Sequence, residues 1–211
     1  MNNNTSIGRE FMIFNKKEID SLCEQLKFSG VILAKKDNKM ILEAAYGYAN
    51  RADELENTIS TRFGIASGCK LFTAVAVCQL VEKGLLSFDT RLKDCLDFAF
   101  PLFDEEITIH QLLTHTSGVP DYFDESVMDD FEELWIERPM YLMRSLQDFL
   151  PLFLDNKMMF EPGDHFHYNN AGYILLGLVV EKVSNTKFQD YVQTNIFNPC
   201  QMTDSGYFTF D

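Results

Sequence analysis

The chain has 211 residues, 46% of them hydrophobic and 13% aromatic, enough to bury one large core or two small ones. Its 32 acidic against 18 basic residues give a formal charge of -14, a field that repels polyanions and so excludes nucleic acid and anionic membrane surfaces as partners. Cys23, Cys69, Cys78, Cys95 and Cys200 form no C-x-x-C pair and are odd in number, which reads as reduced thiols in a cytosolic setting rather than a disulfide framework.

The N-terminal segment holds one short apolar run, residues 11–14, too brief for a signal-peptide core or a membrane span. On that basis the sequence predicts a cytoplasmic protein with no membrane span. Residues 31–36 and 40–45 are apolar runs on either side of Asp37-Asn38, the pattern of a tight β-hairpin. Both strands are apolar on both faces, which calls for a covering layer on each side. Residues 71–86, LFTAVAVCQLVEKGLL, predict a helix apolar around most of its girth, ending near Gly84 and central in the molecule.

From residue 90 to 156 the pattern is one of helical pieces interrupted by Pro101, Pro120, Pro139 and Pro151, with aromatic seams such as residues 149–153. The densest acidic stretch, residues 121–133, reads as a solvated face without a catalytic role. EPGDHFHYNN, residues 161–170, predicts a turn and an extended stretch, and AGYILLGLVVEKV, residues 171–183, a second buried helix. Two strands early and none later make a marginal sheet, so the chain is expected to be a fragment or to take its remaining strands from another molecule.

Ser67-Gly68-Cys69-Lys70 sets a hydroxyl and an amine one helical turn apart at the mouth of the first predicted helix, with Cβ atoms about 5–6 Å apart. A serine hydroxyl becomes a strong nucleophile when a neighbouring base takes its proton, and a helix N-terminus steadies an anion forming beside it. The same two letters also fit a helix cap followed by a surface lysine. A second copy, Ser184-Asn185-Thr186-Lys187, follows a helix rather than opening one and reads as a cap and connecting turn. In the extended segment Tyr168 and Asn170 point the same way and present a phenol and an amide together. The phenol suits accepting the Ser67 proton and returning it to a leaving group. The amide suits holding a substrate carbonyl or orienting Lys70. The plainer alternatives are a packed tyrosine and an N-cap for the helix at Ala171.

These residues resemble the serine β-lactamase and penicillin-binding-protein superfamily, in the branch of class C β-lactamases, D-alanyl-D-alanine peptidases and related esterases. The resemblance runs through FSGVILAKKDNKMILEAAYGYANR from Phe28, TRFGIASGCKLFTAVAVCQLVEKGLLSFDT from Thr61, ITIHQLLTHTSGVPDY from Ile107, FEPGDHFHYNNAGYILLGLVVEKVSN from Phe160 and IFNPCQMTDSGY from Ile196. It implies Ser67 as the acylated nucleophile, Lys70 as its partner, and Tyr168 with Asn170 as the tyrosine-x-asparagine element. It makes LLTHTSG, with His115 and Ser117, a structural turn beside the pocket rather than a Ser-His pair. Val119 and Pro120 are expected to touch substrate. His165 and His167 lack a third ligand motif, so neither a metal nor any cofactor is expected.

Departures from the family pattern also carry information. Gly68-Cys69 leaves a thiol beside the nucleophile, and no K-T-G or H-x-G follows Tyr168, the element that in the family lines the carboxylate site and supplies the second oxyanion-hole amide. The expected fold is therefore α/β and β-lactamase/transpeptidase-like: an antiparallel sheet flanked by helices plus a mostly helical domain, with the C-terminal strands missing. Residues 1–88 would form the N-terminal part of the α/β domain and 89–211 the helical domain, with the tyrosine-x-asparagine segment at their interface. The expected activity is hydrolysis of an amide, ester or lactam carbonyl through an acyl-enzyme, on a small-molecule or short-peptide substrate, with possible complementation by a missing C-terminal segment or a second chain. The alternatives are a non-catalytic binding or regulatory module on the same scaffold, and a Ser-His esterase using His115.

Overall fold

The computed structural model describes residues 15–208, so the apolar run at 11–14 lies outside the described residues. The chain parts into two compact units, Met1–Gly64 and Ile65–Asp211.

The first unit opens with helix α1, Lys16–Gln25, started by Asn15, whose side chain accepts a hydrogen bond from the Lys17 N–H. This polar helix buries only Cys23, which is why apolar periodicity gave no sign of it. Strands β1, Gly30–Lys36, and β2, Lys39–Tyr46, pair antiparallel with Gly30 opposite Tyr46 and Lys36 opposite Lys39. Asp37 and Asn38 make the turn at φ 47° and 62°, the left-handed pair that a two-residue hairpin loop of matching twist requires. A further small ladder joins β3, Tyr48–Asn50, to β4, Leu55–Glu56. Leu42 is buried, whereas Leu33, Met40 and Ile41 are exposed, so the double covering expected of this hairpin is not present among the described residues. A cavity of about 610 Å³ lies within this unit, lined by Cys23, Phe28, Tyr46 and Tyr48 among others.

The second unit is helical. A 3-10 turn, Ala66–Cys69, leads into α2, Lys70–Glu82. The helix stops where Gly84 adopts φ 69° and the Leu85 N–H reaches back to the Leu80 carbonyl, closing the end as a glycine cap does. Thr73, Ala76, Val77 and Leu80 form its buried face, at the spacing of one helical stripe, while Leu71 on the other side is exposed. The helix is thus enclosed along one face rather than all round.

Short helices α3, Leu92–Cys95, α4, Ile109–Leu113, and α5, Leu134–Glu137, follow; α4 is opened by a reciprocal capping box between Thr108 and Gln111. Helix α6, Ala171–Ser184, runs through the core with Leu175, Leu176, Val179 and Val180 fully enclosed, each burial stabilising by about 1.5–3 kcal/mol. Asn185 ends it in a left-handed conformation, φ 52°. Helix α7, Phe188–Val192, continues as a π turn, Gln193–Phe197. Helix α6 packs against α2, α4, α7 and the 3-10 segment Leu146–Leu152. Because α2 packs on α6 and α7, it belongs to the same compact unit as the later helices, and the division falls at residue 64 rather than at the expected 88. Among the described residues no helix is long and apolar enough to cross a membrane.

Candidate active site

Ser67 lies exposed in the 3-10 turn that precedes α2. The residue before it, Ala66, sits at φ 44°, a left-handed conformation that costs a residue with a Cβ about 1 kcal/mol. The chain therefore turns sharply just ahead of the serine. One turn on, at the first residue of α2, the half-buried Lys70 donates from Nζ to Ser67 Oγ at 3.0 Å and to Asn170 Oδ1 at 2.8 Å. The Tyr168 hydroxyl donates to Ser67 Oγ at 2.7 Å. Lys70 Nζ also stands 4.8 Å from the centre of the Tyr168 ring and 5.8 Å from that of Tyr173. Ser67, Lys70, Tyr168 and Asn170 thus meet at one solvent-accessible point.

The turn of residues 115–118 holds the Tyr168 segment in place. His115 carbonyl accepts from the His167 N–H at 2.9 Å, Thr116 carbonyl from Gly163 at 2.7 Å, and Gly118 carbonyl from Met159 at 2.8 Å. His115 and Gly118 both have positive φ, 58° and 70°. At Gly118 a Cβ would come within 2.1 Å of the Phe160 carbonyl oxygen, so only glycine fits. The His115 ring packs against Tyr168 at 4.7 Å and stacks on Tyr173 at 5.1 Å. Its Nδ1 accepts the Asn169 N–H at 3.1 Å, which requires a neutral ring with its proton on Nε2. Burial, aided by the Lys70 charge, holds this imidazole below its usual range. With Nδ1 occupied and Ser117 only 2% exposed, the pair does not have the arrangement of a serine and its base.

Of the readings open for Asn170, the plainer one does not hold: its side chain is not the cap of α6, because its own backbone is helical. The cap is built by its neighbours: Asn169 Oδ1 accepts from the Gly172 N–H at 2.7 Å, and Asp121 accepts from Asn170 N at 2.7 Å and Ala171 N at 3.0 Å. The Asn170 amide is left to bridge, with Nδ2 donating to the Phe123 carbonyl at 3.0 Å and to Asp121 Oδ2 at 3.2 Å while Oδ1 faces Lys70.

Asp121 was read as part of a solvated acidic face, and it is not. Burial raises its pKa above the usual carboxylate value, against the opposing pull of backbone N–H groups from Asn170, Ala171, Phe123 and Tyr122. The one signal in the sequence was its place directly after the LLTHTSGVP turn. Asp124 is likewise largely enclosed, paired with His167 Nε2 at 3.2 Å.

Val119 and Pro120, expected to touch substrate, are buried; Val119 is 0% exposed and its carbonyl accepts from Asn169 Nδ2 at 2.7 Å. Val119 supports Asn169 through that carbonyl, and neither side chain offers an open face. His165 pairs with Asp164 at 2.9 Å. In the second Ser-x-x-Lys copy, Ser184 ends α6 and Lys187 precedes α7, consistent with a connecting turn. Chemically, the cluster at Ser67 offers a hydroxyl with two proton-carrying neighbours at the start of a helix, where developing negative charge is favoured.

The family model for Beta-lactamase matches residues 17–210. Among curated proteins, Penicillin-binding protein 4* of Bacillus subtilis is 31% identical over 188 residues, covering 88% of this chain and 39% of that protein. Among solved structures, a penicillin-binding protein from Bacillus halodurans is 59% identical with a TM-score of 0.86, over 92% of this chain and 58% of that one. A D-stereospecific amidohydrolase from a Streptomyces species is 27% identical with a TM-score of 0.55, over 65% of this chain and 42% of that one. The chain thus spans well under half the length of the curated relative. With the helical core, the hairpin and the match along nearly the whole sequence, the chain belongs to the Beta-lactamase family, within the serine β-lactamase and penicillin-binding-protein superfamily.

Proposed function

We propose that the protein is a serine hydrolase that works through an acyl-enzyme on Ser67. In this reading one member of the Tyr168–Lys70 pair first gives up its own proton to solvent, and Ser67 Oγ then attacks an ester or amide carbonyl as its proton passes to that member. The proton then moves to the departing alcohol or amine, the acyl group stays on Oγ, and a water deprotonated by the same pair releases it as a carboxylic acid. Asn170 keeps Lys70 directed at the serine. The observation that carries the reading is the contact of an exposed Ser67 Oγ with both Tyr168 OH, at 2.7 Å, and Lys70 Nζ, at 3.0 Å. Because the chain spans 39% of Penicillin-binding protein 4*, activity, substrate and partners all belong to the proposal.

The proposed substrates are small esters or short D-amino-acid peptides. The likeness to a D-stereospecific amidohydrolase supports the second class, and five unpaired cysteines support a reducing, cytoplasmic setting. The full-length protein, treated with a fluorophosphonate probe and digested, is expected to carry one adduct, on Ser67. Labelling that survives in Ser67→Ala would overturn the proposal.

A further inference from the structure

The geometry points to Asp121 as a positioning residue that fixes which way the Asn170 amide faces, and through it where Lys70 is held. This deepens the proposed function and rests on it for its catalytic consequence.

An asparagine amide has two ends of similar shape and opposite hydrogen-bonding character, and a flip of its side chain would turn the NH₂ end toward the ammonium. Two acceptors take three hydrogen bonds from Asn170 Nδ2 and N in a way that prevents this. Asp121 Oδ2 takes both the Asn170 N–H, at 2.7 Å, and Nδ2, at 3.2 Å, and the Phe123 carbonyl takes Nδ2 at 3.0 Å. In the flipped state Oδ1 would face a carboxylate oxygen and a carbonyl oxygen, and the NH₂ group would face Lys70 Nζ. Every one of those contacts is repulsive. The carboxylate therefore holds Oδ1 on the 2.8 Å contact with Lys70 and leaves Nζ aimed at Ser67.

Asp121 is itself held. Its Oδ1 accepts from the Ala171 N–H at 3.0 Å and the Tyr122 N–H at 2.8 Å, which ties it to the start of α6 and to its own turn. It makes no hydrogen bond to Ser67, Lys70 or Tyr168, so its influence passes through Asn170. A carboxylate serving only as a helix cap would need Ala171 and Asn170 backbone N–H groups and nothing from the Nδ2 end.

Two readouts on the full-length protein test this: the rate of fluorophosphonate labelling at Ser67, and the side-chain ¹⁵N–¹H signals of Asn170. Asp121→Asn is expected to slow labelling by about tenfold to a hundredfold and to shift and broaden the Asn170 amide pair. In an Asn170→Ala background the same substitution is expected to change the rate by less than about twofold, since the intermediary is gone. Asp121→Ser, which keeps a cap for α6 without the second acceptor, is expected to leave thermal stability nearer to wild type yet reproduce the slow labelling. Equal slowing by Asp121→Asn with and without Asn170, or an Asn170 signal unmoved by the substitution, would overturn the inference. If the wild-type protein takes no label at Ser67, the hydrolase reading fails; the Asn170 signals still decide the orientation.

Discussion

Lys70, the first residue of α2, and Asn170, the residue before α6, are joined by a 2.8 Å hydrogen bond across 100 positions of sequence. That bond couples two helix starts and gives the amine a second anchor besides Ser67. Substituting Asn170 by Ala removes the anchor and leaves the ammonium free to swing. Labelling of Ser67 by a fluorophosphonate is expected to fall about tenfold, with global stability reduced by no more than about 1–2 kcal/mol, measured by stopped reactions alongside urea denaturation.

Tyr168→Phe takes away one hydroxyl and leaves the ring packed on His115. If Tyr168 carries the Ser67 proton, turnover of a chromogenic ester drops by about a hundredfold or more while the substrate KM changes little. A drop confined to KM would mean that the phenol binds rather than transfers.

Gly118→Ala tests the turn beneath the site. The new methyl would have to occupy space 2.1 Å from the Phe160 carbonyl at a backbone φ of 70°, so backbone must move rather than a side chain. The expected cost is about 3 kcal/mol or more, read as a lowered urea midpoint, together with slower labelling because the Tyr168 segment hangs from the same turn.

His115 makes stability depend on pH with a definite sign. Burial and the neighbouring Lys70 keep its folded value below the ordinary 6.5, so as pH falls the unfolded chain takes up the proton first. This contribution is complete above 6.5, declines as pH drops below it through the folded value, and then levels off. Urea midpoints measured from about pH 8 down to about pH 5 should fall in that window, and the fall should be smaller in His115→Gln.

In the first unit, Asn38→Val places a β-branched residue at φ 62° in the hairpin turn. A loss of about 1–2 kcal/mol is expected where Asn38→Gly is neutral or slightly stabilising, with circular dichroism melts of the two variants as the comparison.

Features fixed by neighbours in sequence were legible, and those fixed by burial were not. Asp37-Asn38 announced its turn because few residue pairs tolerate that backbone, and Ser67 and Lys70 could be paired because three positions on a helix bring side chains together. Tyr168 and Asn170 could be set side by side from their two-residue spacing and the family resemblance, although Asn170 takes a helical rather than the expected extended backbone. Asp121 did not: a run of acidic residues looks equally solvated at every position, and nothing local tells that its carboxylate folds back onto the start of a helix 50 residues later. The burial of Val119 and Pro120 was not legible for the converse reason, since adjacency to the site says nothing about which way a side chain faces. Helix α1 escaped notice because it buries a single side chain, and β4 because two residues carry no pattern.

The seam between α2 and α6 has one more consequence. The first residue of α2 carries the amine and the residue before α6 the amide, and the inner faces of the two helices carry Val77, Leu80, Leu175 and Val179 deep in the interior. Close-packed interiors transmit strain, and neighbours collapse only partly into the space a trimmed side chain leaves. Trimming an aliphatic side chain on this seam is therefore expected to cost stability first and to reach Lys70 only as far as the two helix starts shift with that partial collapse.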